Sequence, residues 1–186
     1  MVVTTHERKY WTIAVDPGTY KTGVALFEGN EFVRAFTLKE SPKCKDSGLR
    51  AFTLIQELEA EIWDDVQMDV RILPNVTLVY ENPQMFRIKG GLLKIEPVVR
   101  MAGMLTFWAL THDMVVKPYS VSCVKTGITG RNSASKKWVE AAVRRLIPAV
   151  GFDRTDHEYD AISVGVYHLD QMDEGCFGTP LPVTIF

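Results

Sequence analysis

The sequence predicts an α/β fold in which helices flank a mixed five-stranded sheet. Near the start, three short apolar runs rich in β-branched and aromatic residues follow one another between residues 11 and 38, and strand-like and helix-like runs alternate after them. Strands joined by tight turns pair antiparallel, whereas strands separated by helices can pair in parallel. We therefore expect three antiparallel strands followed by two parallel ones.

The composition is that of one domain. The chain has 186 residues, of which 46% are hydrophobic, enough to bury a sizeable core. We place the core at about residues 11–170, with peripheral tails at 1–9 and 172–186. The three cysteines are far apart and odd in number, so they suggest neither a disulfide framework nor a cysteine zinc site. With no signal peptide and no apolar run of membrane-spanning length, the expectation is a soluble, intracellular, cytoplasmic protein.

The first three strands are predicted at Trp11–Val15, Gly23–Phe27 and Phe32–Leu38, with a turn at residues 28–31 joining the last two. The first run ends on Asp16, and Pro17-Gly18 then turns the backbone. A carboxylate placed there lies at the working edge of a sheet. The alternative is an Asp that only caps the turn, because Asp readily bonds its own backbone two residues on.

The next helix and strand repeat this arrangement of an acid at a strand end. After Gly48, a helix is indicated by apolar residues at helical spacing, namely Phe52, Ile55, Leu58 and Ile62. The strand Val76–Tyr80 then ends on Glu81 and is stopped by Pro83. Two acids at the carboxyl ends of buried strands are harder to explain as turn chemistry than one.

A buried helix is predicted at about Pro97–His112, followed by a short strand, Val115–Lys117, that ends before Pro118. One stripe of the helix carries Met101, Leu105 and Trp108. We interpret this stripe as the contact surface of a homodimer; the alternative is packing in the core.

Charge is segregated along the second half of the chain. Residues 117–151 contain seven Lys or Arg and one acid, whereas residues 153–174 contain seven acids and one Arg. The basic block is either a solvated helix face or a footprint for a phosphate backbone beside a carboxylate cluster.

The acidic block opens on a helix start. Thr155 and Glu158 match a capping box, so Thr155 is predicted as the N-cap and Glu158 is expected to bond back to the backbone. His157 and Asp160 then lie three apart on one helical face, where side chains converge.

Four motifs together resemble the RuvC family of Holliday junction resolvases, within the RNase H-like superfamily. They are Ile13-Ala-Val-Asp-Pro-Gly-Thr19, Tyr80-Glu81, the segment Val124–Gly130 with Ala134-Ser-Lys136, and His157-x-x-Asp160-Ala161. Their order and approximate spacing agree with the family from about residue 11 to 170.

The resemblance implies a metal-dependent endodeoxyribonuclease that resolves four-way junctions by paired, symmetric cleavage and leaves 5′-phosphates. Asp16, Glu81, His157 and Asp160 would be the catalytic and metal-binding tetrad, holding two Mg²⁺ or Mn²⁺ ions. Asp16 would bridge both ions. The family fills the position of His157 with Asp or His, and imidazole suits Mn²⁺ somewhat better than Mg²⁺.

The same resemblance assigns Lys125 and Lys136 to the phosphate backbone near the cut. We expect Arg131 and Lys137, which belong to the basic block, to bind DNA with them. Phe86, in the loop after Glu81, would insert at the open centre of the junction. The partners implied are four-way DNA and a second copy of the chain, with no membrane; a branch-migration helicase cannot be inferred.

Three alternatives remain open at this stage. One is a nuclease of the same fold acting on flaps, forks or a structured RNA precursor. Another is an actin-like ATPase or sugar kinase, because Asp16-Pro-Gly-Thr19 also resembles a phosphate loop, although that fold normally needs two such domains. The third is a non-catalytic junction-binding protein, which a missing acid would favour.

Overall fold

The computed structural model of the protein describes residues 10–39, 44–66, 75–83 and 95–172. In these ranges the chain forms five strands and five α-helices. In chain order they are β1 (Trp11–Asp16), β2 (Lys21–Glu28), β3 (Glu31–Lys39), α1 (Ser47–Val66), β4 (Val76–Asn82), α2 (Glu96–Thr111), β5 (Val115–Ser120), α3 (Val121–Thr129), α4 (Lys136–Leu146) and α5 (Asp156–Met172). A short 3₁₀ turn, Pro148–Val150, lies between α4 and α5.

The five strands form one sheet in the order β3-β2-β1-β4-β5. Strands β1, β2 and β3 pair antiparallel, while β4 pairs parallel with both β1 and β5. The hairpin between β2 and β3 turns at Gly29, which has a φ of 58°. The predicted fold class is confirmed, and β1, which ends on Asp16, is the central strand.

Two hydrophobic cores lie on the two faces of the sheet because successive side chains of a strand point to opposite faces. Ile13, Val15, Leu78 and Tyr80 belong to the core that α1 and α2 cover. Ala14 and Val79, one residue out of step with them, belong to the core that α3, α4 and α5 cover. The same alternation directs Asp16 and Glu81 to the α5 face, at the carboxyl ends of their strands.

Helix α5 lies close to the sheet because two glycines leave room for it. A Cβ on Gly23 of β2 would come within 1.9 Å of the carbonyl oxygen of His157, and one on Gly165 of α5 would come within 2.2 Å of the Phe27 ring. Gly23 pairs directly with Asp16. The missing side chain at position 23 therefore lets the first turn of α5 rest beside the end of β1.

The structure corrects the prediction for β5. The strand continues through Pro118, which pairs with Tyr80, to Ser120. A proline is tolerated there because β5 is an edge strand, where a missing N–H need not interrupt the ladder.

Two predicted surfaces of the helices are also wrong. Phe52 does not join the buried side of α1 but is 48% exposed, and Ala51 and Leu54 are buried in its place. The α2 stripe interpreted as a dimer surface packs in the core, since Met101, Leu105 and Trp108 are all at most 5% exposed.

Within the ranges that the structure describes, no helix combines the length and apolar character needed to span a bilayer.

Candidate active site at the carboxyl ends of β1 and β4

Asp16 is the last residue of β1, and its carboxylate contacts the first turn of α5. His157 Nδ1 donates a hydrogen bond to Asp16 Oδ2 at 2.8 Å. The side chain of Asp16 is 16% exposed and that of His157 34%. This hydrogen bond raises the pKa of His157 above its ordinary value, although burial opposes it.

The loop that follows Asp16 is held by a buried arginine of α1. Arg50, 4% exposed, donates to the carbonyl oxygens of Thr19 at 3.3 Å and Cys44 at 2.6 Å, and its guanidinium lies 4.5 Å from the centre of the Tyr20 ring. The chain reverses direction between β1 and the antiparallel β2, as predicted from Pro17-Gly18, and Arg50 of α1 contacts the second half of this connection at Thr19 and Tyr20.

Glu81 of β4 lies beside Asp16 of β1, one residue beyond the paired positions Val15 and Tyr80. Burial and the neighbouring charges of Asp16 and Asp160 raise the pKa of Glu81 to about 8, against the opposing effect of Lys125 and Lys136. For such a carboxylate to be fully ionised at neutral pH, it needs positive charge beyond that of Lys125 and Lys136.

The first turn of α5 presents His157 and Asp160 on the face predicted for them. Thr155 Oγ1 accepts from the Glu158 amide at 3.2 Å, which confirms Thr155 as the cap. The second half of the predicted capping box is wrong. The Glu158 carboxylate, in a residue 8% exposed, accepts instead from the Thr37 hydroxyl of β3 at 2.8 Å.

Asp160 is the third carboxylate of the site. Its side chain is 24% exposed, and burial together with the charge of Asp16 raises its pKa. Lys136, the first residue of α4, approaches it with Nζ at 3.6 Å from Oδ2, and also pairs with Asp156 at 3.1 Å. Burial tends to lower the pKa of Lys136, but the hydrogen bond to Asp156 and the charge of Asp160 raise it on balance.

Lys125 reaches the site from α3, where its charge lowers the pKa of both Glu81 and Asp160. The helix is fixed at both ends: Ser120 caps it by accepting from the Cys123 amide, and Gly130 closes it with a φ of 73°. Gly127 brings α3 against Tyr167 of α5, because a Cβ there would lie 2.4 Å from that ring.

The donor set fits divalent metal ions. Three carboxylates and one imidazole converge from β1, β4 and α5, and oxygen with nitrogen ligands suits Mg²⁺ and Mn²⁺. Among the described residues, no three acidic, histidine or cysteine side chains are arranged around one point as the ligands of a metal ion. Asp16 and Asp160 instead pair with His157 and Lys136, so metal binding would exchange these contacts.

Not every predicted residue joins this cluster. Arg131 and Lys137 are exposed, Arg131 stacks on Trp138 with 5.4 Å to the ring centre, and neither makes an ion pair with another described residue. Phe86 lies outside the described residues. Two residues near the site were not predicted from the sequence. Asp156 was not recognised as a partner of Lys136. Tyr119 of β5, which pairs with Glu81 of β4, was not recognised because Pro118 before it concealed that the strand continues.

Fold and site together define the class of protein: an RNase H-like domain with an acidic, lysine-flanked site at the carboxyl ends of its central strands. No family model matches the chain. Its curated relatives include the crossover junction endodeoxyribonuclease RuvC of Chlamydia caviae, 26% identical over 171 residues, which cover 89% of this chain and 96% of that protein. RuvC of Syntrophomonas wolfei is 26% identical over 160 residues, covering 84% and 87%.

Solved structures agree on the fold. Thermus thermophilus RuvC superimposes with a TM-score of 0.67 at 17% identity, over 88% of this chain and 96% of that one. The same protein in complex with a Holliday junction substrate gives 0.67 at 19% identity, over 89% and 96%. The predicted resemblance to the RuvC family is confirmed by the relatives, and the predicted fold by the structures.

Proposed function

We propose that the protein is a metal-dependent endonuclease that resolves four-way DNA junctions by paired, symmetric cleavage. The observation that carries the proposal is the convergence of Asp16, Glu81 and Asp160 beside two lysines at one end of the sheet. Curated relatives that align over most of the chain are named as crossover junction endodeoxyribonucleases, which supports the substrate class.

The four predicted ligands would divide the work of the site. Asp16 of β1, Glu81 of β4, and His157 with Asp160 of α5 would hold divalent ions. Ions held there would supply an activated water and would neutralise charge on the phosphate and on the leaving oxygen. In the neutral ring, His157 donates from Nδ1 to Asp16 and keeps a lone pair on Nε2.

The lysines would position the DNA. Lys136, within 3.6 Å of Asp160, and Lys125, whose charge acts on Glu81, would each contact a phosphate next to the carboxylates. Two cations at this point offset the repulsion between a polyanionic backbone and three acids. Arg131, which follows α3, and Lys137 of α4 are exposed and would contact further phosphates along one arm of the junction.

A homodimer follows from the two-fold symmetry of a junction, because two sites related by a two-fold axis give paired cuts. The buried Met101 stripe cannot form the contact, so we assign it to the opposite face of α2. There Val99 is 41% exposed, Phe107 66% and Leu110 60%. Light scattering should return a two-chain mass for the wild type and a one-chain mass for Phe107→Glu, whereas Phe52→Glu on α1, where the side chain is 48% exposed, should remain dimeric. A one-chain mass for the wild type, with and without a junction, would contradict the dimer.

The function is tested with end-labelled four-way junction, fork, flap, structured RNA and linear duplex substrates. Mg²⁺ or Mn²⁺ should support cutting of the junction at symmetric positions on opposing strands. EDTA should abolish it, and Ca²⁺ should support it poorly because its looser coordination positions the phosphate badly. DNA ligase should reseal the nicks, since the products carry 5′-phosphate and 3′-hydroxyl ends. Faster cutting of flaps, forks or RNA than of the junction, or cutting in EDTA, would overturn the proposal.

A further inference from the structure

A tyrosine that no sequence motif includes lies directly beside Glu81. In the parallel register of β4 and β5, Tyr119 pairs with Glu81, and its side chain packs in the core that α5 covers. Glu81, a candidate metal ligand, therefore has Tyr119 beside it on the edge strand β5 and Asp16 beside it on the central strand β1.

The Tyr119 hydroxyl is bonded to the helix that carries the other two candidate ligands. It donates to Nδ1 of His168 at 2.9 Å, and His168 is only 2% exposed. Burial and the charge of Lys117 lower the pKa of His168 to about 4, so the ring is neutral and can accept this hydrogen bond. The Tyr119 ring also meets the Tyr167 ring edge to face, with 5.0 Å between their centres.

This bond lies on the opposite side of the sheet centre from the two glycine contacts of α5. Gly23 and Gly165 bring the helix onto β2 and its Phe27 ring, whereas Tyr119 ties it to β5. In the strand order, β2 and β5 lie on either side of the β1 and β4 pair that carries Asp16 and Glu81. The helix is thus fixed from both sides of the site, and the tie to β5 is polar and directional.

We propose that the Tyr119–His168 pair is a positioning device that sets the placement of Asp160 on α5 against Glu81 on β4. The inference rests on the proposed function of this site. Ligands supplied by two separate elements must be held to about 0.5 Å, and groups that orient ligands typically change metal affinity or activity by about 10–100-fold when removed.

The test compares hydroxyl removals at two neighbouring tyrosines. Tyr119→Phe deletes the hydrogen bond and keeps the ring. Tyr167→Phe deletes a hydroxyl that bonds to none of the described residues, in a ring that contacts Tyr119. His168→Asn retains an oxygen acceptor near the position of Nδ1, whereas His168→Leu removes it.

Each variant is measured in three ways, at a temperature where its thermal melt shows it folded. Mn²⁺ binding is titrated without DNA, junction affinity is measured in EDTA, and the cleavage rate is measured at saturating junction. For Tyr119→Phe and His168→Leu we expect Mn²⁺ affinity and cleavage rate to fall about 10–100-fold with junction affinity within twofold of wild type. Tyr167→Phe and His168→Asn should stay close to wild type.

Wild-type Mn²⁺ affinity in Tyr119→Phe, or equal losses in His168→Asn and His168→Leu, would overturn the inference and leave the pair a packing contact. A wild-type protein that binds Mn²⁺ but does not cut a junction would instead contradict the proposed function. In that case the Mn²⁺ titration still decides whether the pair positions the ligands.

Discussion

Acidification should destabilise the fold through His168. The residue is 2% exposed, and burial with the charge of Lys117 lowers its pKa from 6.5 to about 4. In the unfolded chain it titrates at its ordinary value. Between these two values the unfolded state binds more protons than the folded state, so the free energy of unfolding decreases as the pH falls.

The size of the effect follows from the gap between the two pKa values. At 1.36 kcal/mol for each pKa unit, protonation of the unfolded chain costs the fold about 2 kcal/mol at pH 5 and about 3 kcal/mol at pH 4. The raised pKa values of Glu81 and Asp160 act in the opposite direction, since those carboxyl groups bind protons more tightly when folded. The groups that face His168 are Tyr119 and Lys117. Burial raises the pKa of Tyr119 above its ordinary value, so its hydroxyl stays protonated in this range.

The contribution of His168 to the pH dependence of stability is isolated by comparing the wild type with a variant that lacks the imidazole. Urea unfolding followed by tryptophan fluorescence should be measured from pH 7 to pH 4 for the wild type and for His168→Asn. The wild type should lose about 3 kcal/mol relative to the variant across this range. A difference that does not change with pH would refute the reasoning, because it would mean that folded His168 titrates at its ordinary value.

Further predictions concern packing and DNA contacts. Gly23→Ala should destabilise the fold by about 1–3 kcal/mol, because the added Cβ would lie 1.9 Å from the carbonyl oxygen of His157. Gly103→Ala, with open space around it, should be neutral or slightly stabilising. Urea unfolding of both variants checks this, and an equal loss of stability in both would contradict it. Lys125→Ala and Lys137→Ala should each reduce the slope of log affinity against log salt by about 0.7–0.9 without changing sequence preference, and unchanged slopes in a salt titration would remove these lysines from the phosphate contacts. Phe86→Ala should spare that slope while impairing cleavage of an open junction, where a stacked aromatic contributes about 1–3 kcal/mol; a changed slope with normal cleavage would contradict the assignment.

The strands and the positions of the acids could be predicted because they depend on local pattern. Continuous apolar runs define β1 and β4. Successive side chains of a strand point to opposite faces, and this places Asp16 and Glu81 on one face. The spacing of His157 and Asp160 likewise follows from one helical turn. These features need no knowledge of what packs against them.

The wrong predictions share a different cause. Whether Met101 faces the core or solvent, and whether Glu158 bonds to its own helix or to Thr37, is decided by elements distant in sequence. The extent of β5 depends on its position at the sheet edge, which alone makes Pro118 acceptable. Tyr119 and His168, far apart in sequence, could not be linked before the fold was known.

The central claim is most directly tested by one substitution made at two positions of α5. Asp156 and Asp160 both pair with Lys136, but the Asp156 side chain is 68% exposed and that of Asp160 is 24% exposed within the carboxylate cluster. Cleavage of an end-labelled four-way junction in Mg²⁺ or Mn²⁺ should be lost in Asp160→Asn with junction binding retained, and Asp156→Asn should cut at close to the wild-type rate. Appreciable cutting by Asp160→Asn, or equal losses in the two variants, would contradict the assignment of the active site.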